Sequence, residues 1–197
     1  MPRPRTHDDA LRIRLLDRAG ELLSTGGPDA LSLRRLAAEV GTSTSAVYSL
    51  FGGKPGLVAA LHREAFRRFG ARLAAVTPSD DPADDIVRLG RAYRTSALAD
   101  PHLYQVMFGR PIPDFTPDEQ ACREADATFE PLLDAARRGV RDGSLVDEPP
   151  EQIALACWGV VHGLVMLELN GNVPDDVDFA TTYHRALQAG VDGWRRR

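Results

Sequence analysis

The sequence predicts an all-α fold of about nine helices, and three observations predict it. Apolar residues recur with the 3.6-residue period of an amphipathic helix along most of the 197 residues. No run alternating apolar and polar side chains with β-branched enrichment lasts more than a few positions. Gly, Pro and short hydroxyl or acidic residues stand where one apolar stripe ends and the next begins.

The first helix is expected over about 6–25. Thr6 and Asp9 have capping-box spacing, and Leu11, Leu15, Ala19, Leu22 and Leu23 share a face. Gly26, Gly27 and Pro28 end it. Ser32 is the N-cap of a short helix with Leu33, Leu36, Ala37 and Val40, which Gly41 stops. Thr42, Ser43 and Thr44 make a turn and a second cap before a helix over about 45–51. Gly52 and Gly53 break that helix, and Pro55 suits the first turn of a long one with Leu57, Leu61, Ala65, Phe69 and Leu73 on its stripe.

Beyond Pro78, proline marks the helix starts at Asp81-Pro82, Asp100-Pro101, Thr116-Pro117 and Pro149-Pro150, with Glu119 completing a capping box on Thr116. Five further helices fit. The proline-rich connection over 109–116 is the longest, and Pro131 is expected to kink the helix after it. The segment 150–170 is apolar on almost every side, from Ile153 and Leu155 to Val165 and Leu167, and is expected to be buried all round. The last helix carries Phe179, Tyr183, Ala186, Leu187, Gly190 and Trp194 on one stripe. Only the basic arm over 1–5 is expected to be disordered.

Composition narrows the function classes. The chain is 43% hydrophobic and 26% charged, an ordinary globular balance, and it lacks both a signal-peptide pattern and an uncharged apolar run of about 18 residues. A soluble, cytoplasmic protein without a membrane partner is expected. Cys122 and Cys157 lie in apolar helical patterns without CxxC spacing, so they read as packing residues, and neither a metal nor a cofactor is expected. The net charge of -4 conceals a partition. Residues 1–72 hold 12 basic against 7 acidic side chains, and the remainder holds 12 against 21. A positive module on an acidic body is the pattern expected when one end faces phosphates.

The informative segment is 32–51, two short helices across a glycine turn, which is helix-turn-helix geometry. The second helix is about 10 Å long and fits a major groove about 12 Å wide. Its N-terminal end presents the hydroxyls of Thr42, Ser43, Thr44 and Ser45, and Ala46 and Val47 leave room for close approach. Tyr48 and Ser49 lie on the same short helix, and Lys54, the only lysine, stands at the start of the next.

This arrangement resembles the N-terminal domain of the tetracycline-repressor (TetR) family over about residues 8–69. The resemblance rests on Leu33, Leu36 and Ala37, on Val40-Gly41, on the Ser/Thr-rich turn, and on Tyr48, Phe51, Lys54 and Leu57. It departs at Leu50 and Pro55. It implies that the third helix reads the major groove and that Ser32, Tyr48 and Lys54 touch phosphates. A second stretch, 101–109 with 156–164, is similar to the subgroup whose sensor domain carries a Trp-His-Gly signature, here Trp158, His162 and Gly163. It implies a ligand-sensing and dimerising helical domain over 80–196.

The residues agree with that implication. Tyr93, Tyr104, Met107, Phe108, Phe115, Phe129, Trp158 and His162 are candidates to line an apolar pocket. His162 reads as a hydrogen-bonded packing histidine. Leu164, Tyr183, Ala186, Leu187, Gly190 and Trp194 are candidates for a dimer interface, and Gly159 and Gly163, four apart, permit close helix crossing.

An enzyme is the first rival. Cys157, His162 and Glu168 stand five and six residues apart on one helix and point in different directions, and Gly52-Gly53-Lys54 lacks the rest of a phosphate-binding loop. A helical lipid-binding protein is the second rival, and it has no use for a hydroxyl-rich turn followed by Tyr48 and Lys54. The expectation is therefore a non-enzymatic, homodimeric transcriptional repressor that binds a palindromic operator in double-stranded DNA and is released by a small apolar or amphipathic effector.

Overall fold

The computed structural model describes residues 5–109, 112 and 115–196, with side chains from Asp8 onward. Of the arm over 1–5 the first four residues lie outside the described residues and Arg5 opens the first helix; residues 110, 111, 113 and 114 of the connection over 109–116 lie outside them as well. Among the described residues the chain forms ten α-helices and one 3-10 turn. They are α1 (Arg5–Gly26), the turn Pro28–Ala30, α2 (Leu33–Val40), α3 (Thr44–Phe51), α4 (Lys54–Ala74), α5 (Pro82–Ala99), α6 (Pro101–Phe108), α7 (Glu119–Ala127), α8 (Glu130–Asp142), α9 (Pro150–Leu169) and α10 (Phe179–Asp192).

The tenth helix comes from Pro131. A kinked single helix was expected there, but the chain turns at Thr128 and Phe129 and begins α8 afresh. Proline lacks an N–H and its ring collides with the carbonyl four residues back, a collision that vanishes when it stands in the first turn of a new helix. The cap of α7 also differs from expectation. Asp118, not Thr116, accepts the Ala121 N–H at 2.8 Å, because α7 starts two residues beyond Pro117. Asp81 caps α5 in the same manner, accepting from Ala83 and Asp84 at 3.0 Å each.

The chain packs as two compact units. The first comprises 1–68 and 100–125, the second 69–99 and 126–197. This differs from a division near residue 70–80, because α6 packs on α1 and sends Leu103 into the core formed by Leu15, Leu16, Leu36, Val47, Leu57 and Leu61. Arg68 completes the first unit through Asp17 at 2.8 Å and Asp100 at 3.6 Å.

In the second unit α5, α8, α9 and α10 pack on one another around Ile86, Val87, Ala136, Ile153, Val161, Val165, Tyr183 and Leu187. The Tyr183 hydroxyl donates to the Gly90 carbonyl at 2.7 Å, and the Arg94 guanidinium pairs with Glu168 while lying over the Tyr183 ring. By length and composition alone α9 is apolar enough to cross a membrane, at a mean hydropathy of 1.6. It is not buried all round, contrary to expectation. Ile153, Ala154, Cys157, Val161 and Val165 face the unit's core, whereas Leu155, Gly159, Val160, Gly163 and Leu167 are exposed.

Candidate functional site

The helix-turn-helix is built by two serine caps and one left-handed glycine. Ser32 accepts the Arg35 N–H at 3.5 Å and so starts α2. Gly41, at φ 74° and ψ 40°, ends it in the αL region and returns its N–H to the Ala37 and Ala38 carbonyls. A side chain at that φ is strained, which is why glycine belongs in this turn. Ser43 accepts the Ala46 N–H at 3.1 Å and starts α3, one residue earlier than the sequence suggested.

α3 buries Val47 and Phe51 and turns its other side outward. Tyr48 is 55% exposed, and Ser43, Ser45 and Ser49 are exposed beside it, while Thr42 and Thr44 are half-buried. Ser32 and Lys54 are exposed as well. Both capping serines use an oxygen lone pair for the backbone, so each keeps its O–H for an outside acceptor. The Lys54 ammonium donates to the Pro28 carbonyl at 2.8 Å, which occupies one of its three N–H bonds. Two features here were not singled out from the sequence. Glu39 pairs with Arg18 at 2.6 Å and Arg35 at 2.7 Å, fastening α2 to α1 and holding its own carboxyl below the usual range. Arg34, exposed in the first turn of α2, is left as a cation beside Ser32.

The eight apolar-pocket candidates separate into two groups. Tyr104, Met107, Phe108 and Phe115 belong to the first unit, where the rings run in sequence from Phe115 to His62 (5.2 Å between centroids), Phe66 (4.9 Å), Phe108 (5.9 Å) and Tyr104 (5.0 Å). Tyr93, Phe129, Trp158 and His162 belong to the second. There the Trp158 indole N–H donates to the Tyr93 hydroxyl at 3.3 Å, and that hydroxyl lies 2.9 Å from His162 Nδ1. Two hydrogen bonds thus join Trp158, Tyr93 and His162, and the direction of the second follows the imidazole tautomer. Burial pushes the His162 pKa down. Phe69 and Phe129 flank the pair, edge-on to Tyr93 and Trp158 at 5.0 and 6.0 Å.

Two of the six interface candidates are corrected. Tyr183 and Leu187 are 0% and 2% exposed inside their own chain, since α10 turns that side of its stripe onto α5. Leu164, Ala186, Gly190 and Trp194 are half-buried. The outward apolar face lies on α9 instead, and its i, i+4 signal is Leu155, Gly159, Gly163 and Leu167. Among the described residues no group of three or more His, Cys, Asp or Glu side chains is gathered as a metal site demands.

Comparison with known proteins gives matches at both ends. Residues 15–61 match the bacterial regulatory proteins of the tetR family, and residues 86–189 match the tetracyclin repressor-like C-terminal domain. The HTH-type transcriptional regulator Rv1816 of Mycobacterium tuberculosis is 24% identical over 141 residues, which are 70% of this chain and 60% of the relative. The chain thus spans less than two thirds of that relative's length. A solved protein from Rhodococcus sp. RHA1 is 26% identical, with a TM-score of 0.79 over 94% of this chain and 96% of that one. The structure of SmeT in complex with triclosan shares the fold at 21% identity, with a TM-score of 0.71 over 95% of this chain and 92% of that one.

Proposed function

The chain belongs to the tetracycline repressor family of bacterial regulatory proteins, and we propose that it is a homodimeric, sequence-specific DNA-binding repressor released by a small molecule. The observation that carries the DNA reading is the outer side of α3. A short helix held at its buried side by Val47 and Phe51 offers Ser45, Tyr48 and Ser49 to a major groove, with Ser43 at its N-terminal end. Ser32, Tyr48, Lys54 and Arg34 are the phosphate contacts in this reading, and Thr42 and Thr44 support the turn between them. Phosphate contacts fix register, whereas Ser45 and Ser49 supply base discrimination.

One reader per chain and a palindromic site require two copies related by a two-fold axis, with readers about 34–36 Å apart. The exposed apolar face of α9 supports this assembly. Gly159 and Gly163 have no neighbouring atom within 4 Å of where a Cβ would stand, so a second helix has room to come close. The aromatic candidates support an apolar or amphipathic effector, and SmeT held with triclosan has the same fold. Trp158, His162 and Gly163 support assignment to the Trp-His-Gly subgroup. A regulator with these partners acts in the cytoplasm.

Selection of bound sequences from random duplex DNA, with the mass of the complex recorded, tests the reading. The expected product is a palindrome held by a dimer. Lys54→Ala should weaken binding to every selected sequence alike and reduce the slope of log K against log salt by about 0.9. Tyr48→Phe should weaken all sequences alike as well, while Ser45→Ala should change the palindrome. If no sequence is enriched at low salt by protein stripped of small molecules, the DNA reading fails.

A further inference from the structure

His62 is a buried polar group that neither the DNA reading nor the sequence accounts for. It lies on α4 between the rings of Phe66 and Phe115, at 4.9 and 5.2 Å, and is 8% exposed. Its Nδ1 is buried and makes no hydrogen bond. A buried polar atom without a partner is costly, and native structures rarely keep one without a use for it. The rings of Phe66, Phe108 and Phe115 are hydrocarbon, and of the two nearby carboxylates Asp118 is engaged by Arg63 at 2.7 Å and Glu124 accepts from the Gln120 amide at 2.9 Å. Burial, with Arg63 close by, lowers the imidazole's pKa, so the ring is neutral near pH 7; a buried N–H without a partner is rarer than a buried bare acceptor, so the proton belongs on Nε2, which is not among the buried unpartnered atoms, and Nδ1 is the acceptor. The walls around it are not closed. Phe108 and Phe115 are half-buried, and each retains surface that an apolar molecule could cover.

We propose that this cluster in the first unit is the binding site for a flat aromatic effector bearing one hydrogen-bond donor, such as a phenolic hydroxyl, with His62 Nδ1 accepting that hydrogen bond while the Phe66, Phe108 and Phe115 rings pack on the effector's faces. The inference rests on the effector reading above and gives it a chemical class. A donor is required rather than an acceptor or an anion, because a neutral imidazole nitrogen without a proton repels both. A buried site made to pair with a hydroxyl rejects the analogue that lacks it far more strongly than an apolar slot distinguishes two hydrocarbons.

The test uses the full chain and two probes, 2-naphthol and 2-methoxynaphthalene, of similar shape but differing in the donor. Calorimetry should show 2-naphthol binding at least about tenfold more tightly than its methyl ether. His62→Phe, which keeps a ring against Phe66 and Phe115, should abolish that preference while leaving the ether's affinity within about threefold. The 15N resonance of His62 Nδ1 in the unsubstituted protein should move upfield on adding 2-naphthol and stay in place with the ether, a readout that needs no variant. Equal binding of the two probes, binding of neither, or a preference that survives His62→Phe overturns the site. Operator release is measured in parallel and separates the two readings. Probe binding that depends on His62 without any effect on the operator leaves the site standing and refutes the effector role, whereas release by 2-naphthol that is indifferent to His62→Phe does the reverse.

Discussion

Asp85 shows how a single carboxylate can organise several segments of the second unit. It is 2% exposed, and it accepts from the Ser79 N–H at 3.0 Å and the Ser79 hydroxyl at 2.6 Å while pairing with Arg88 and Arg138. Burial alone would raise its pKa, but these donors together outweigh burial and bring it down to about 2. An unfolded aspartate titrates near about 3.9, so the carboxylate stabilises the fold fully above about pH 4 and ceases to do so as pH falls through about 2. Asp85→Asn should therefore lower the unfolding free energy at pH 7 by about 2–3 kcal/mol, with the difference shrinking toward pH 2. Denaturant melts of both proteins between pH 2 and 7 measure this, and parallel profiles would show that the carboxylate is not the linked group. The sequence disclosed Asp81-Pro82 as a helix start because proline in a first turn is a local signal. It could not disclose Asp85, whose partner Arg138 is 53 residues away.

At the scale of elements, what was legible follows the same division between local and distant causes. Ser32, Gly41 and the Ser43 turn were readable because each satisfies backbone groups within four residues. The reader's exposed hydroxyls and Tyr48 followed, since a short helix with two buried apolar positions has only one way to face. The faces of α9 were not readable: a helix apolar on every side carries no moment to say which side meets its own unit. Pro55 announced the first turn of α4, but the close approach at Gly56 was not readable. A Cβ added at Gly56 would stand 1.8 Å from the Phe51 carbonyl oxygen, the end of α3. Glycine there lets α4 begin directly against the reader helix, and no side-chain shift can relieve a clash with backbone. Gly56→Ala should destabilise the first unit by about 2–3 kcal/mol, with amide exchange in α3 and α4 accelerated and operator affinity lost. Unchanged protection of α3 amides would mean that the two helices are not braced at this point.

The whole molecule turns on whether α9 brings two readers together. A single chain leaves Leu155 58%, Leu167 45% and Val160 37% exposed on one helix, flanking two glycines. Scattered exposed leucines are unremarkable, but a contiguous apolar stripe with space for a second backbone is the composition of an interface. The acidic balance of the C-terminal part does not oppose this, because within the segment Pro150–Leu169 the acids Glu151 and Glu168 stand near the two ends, the latter engaged with Arg94. Leu155→Glu places a charge on the most exposed leucine of the stripe, at its N-terminal end, where desolvation would be uncompensated in a dimer yet harmless on an exposed position of a monomer. The wild-type chain of 21.5 kDa should run at twice that mass, and the variant at its own. Its helical content should be unchanged, and affinity for a two-half-site operator should fall by about 100-fold or more, since a lone reader keeps only half the contacts. A single half-site should bind both proteins equally weakly. A Leu155→Glu protein that remains dimeric would move the interface to another face, and a monomer that keeps full operator affinity would end the two-fold reading altogether.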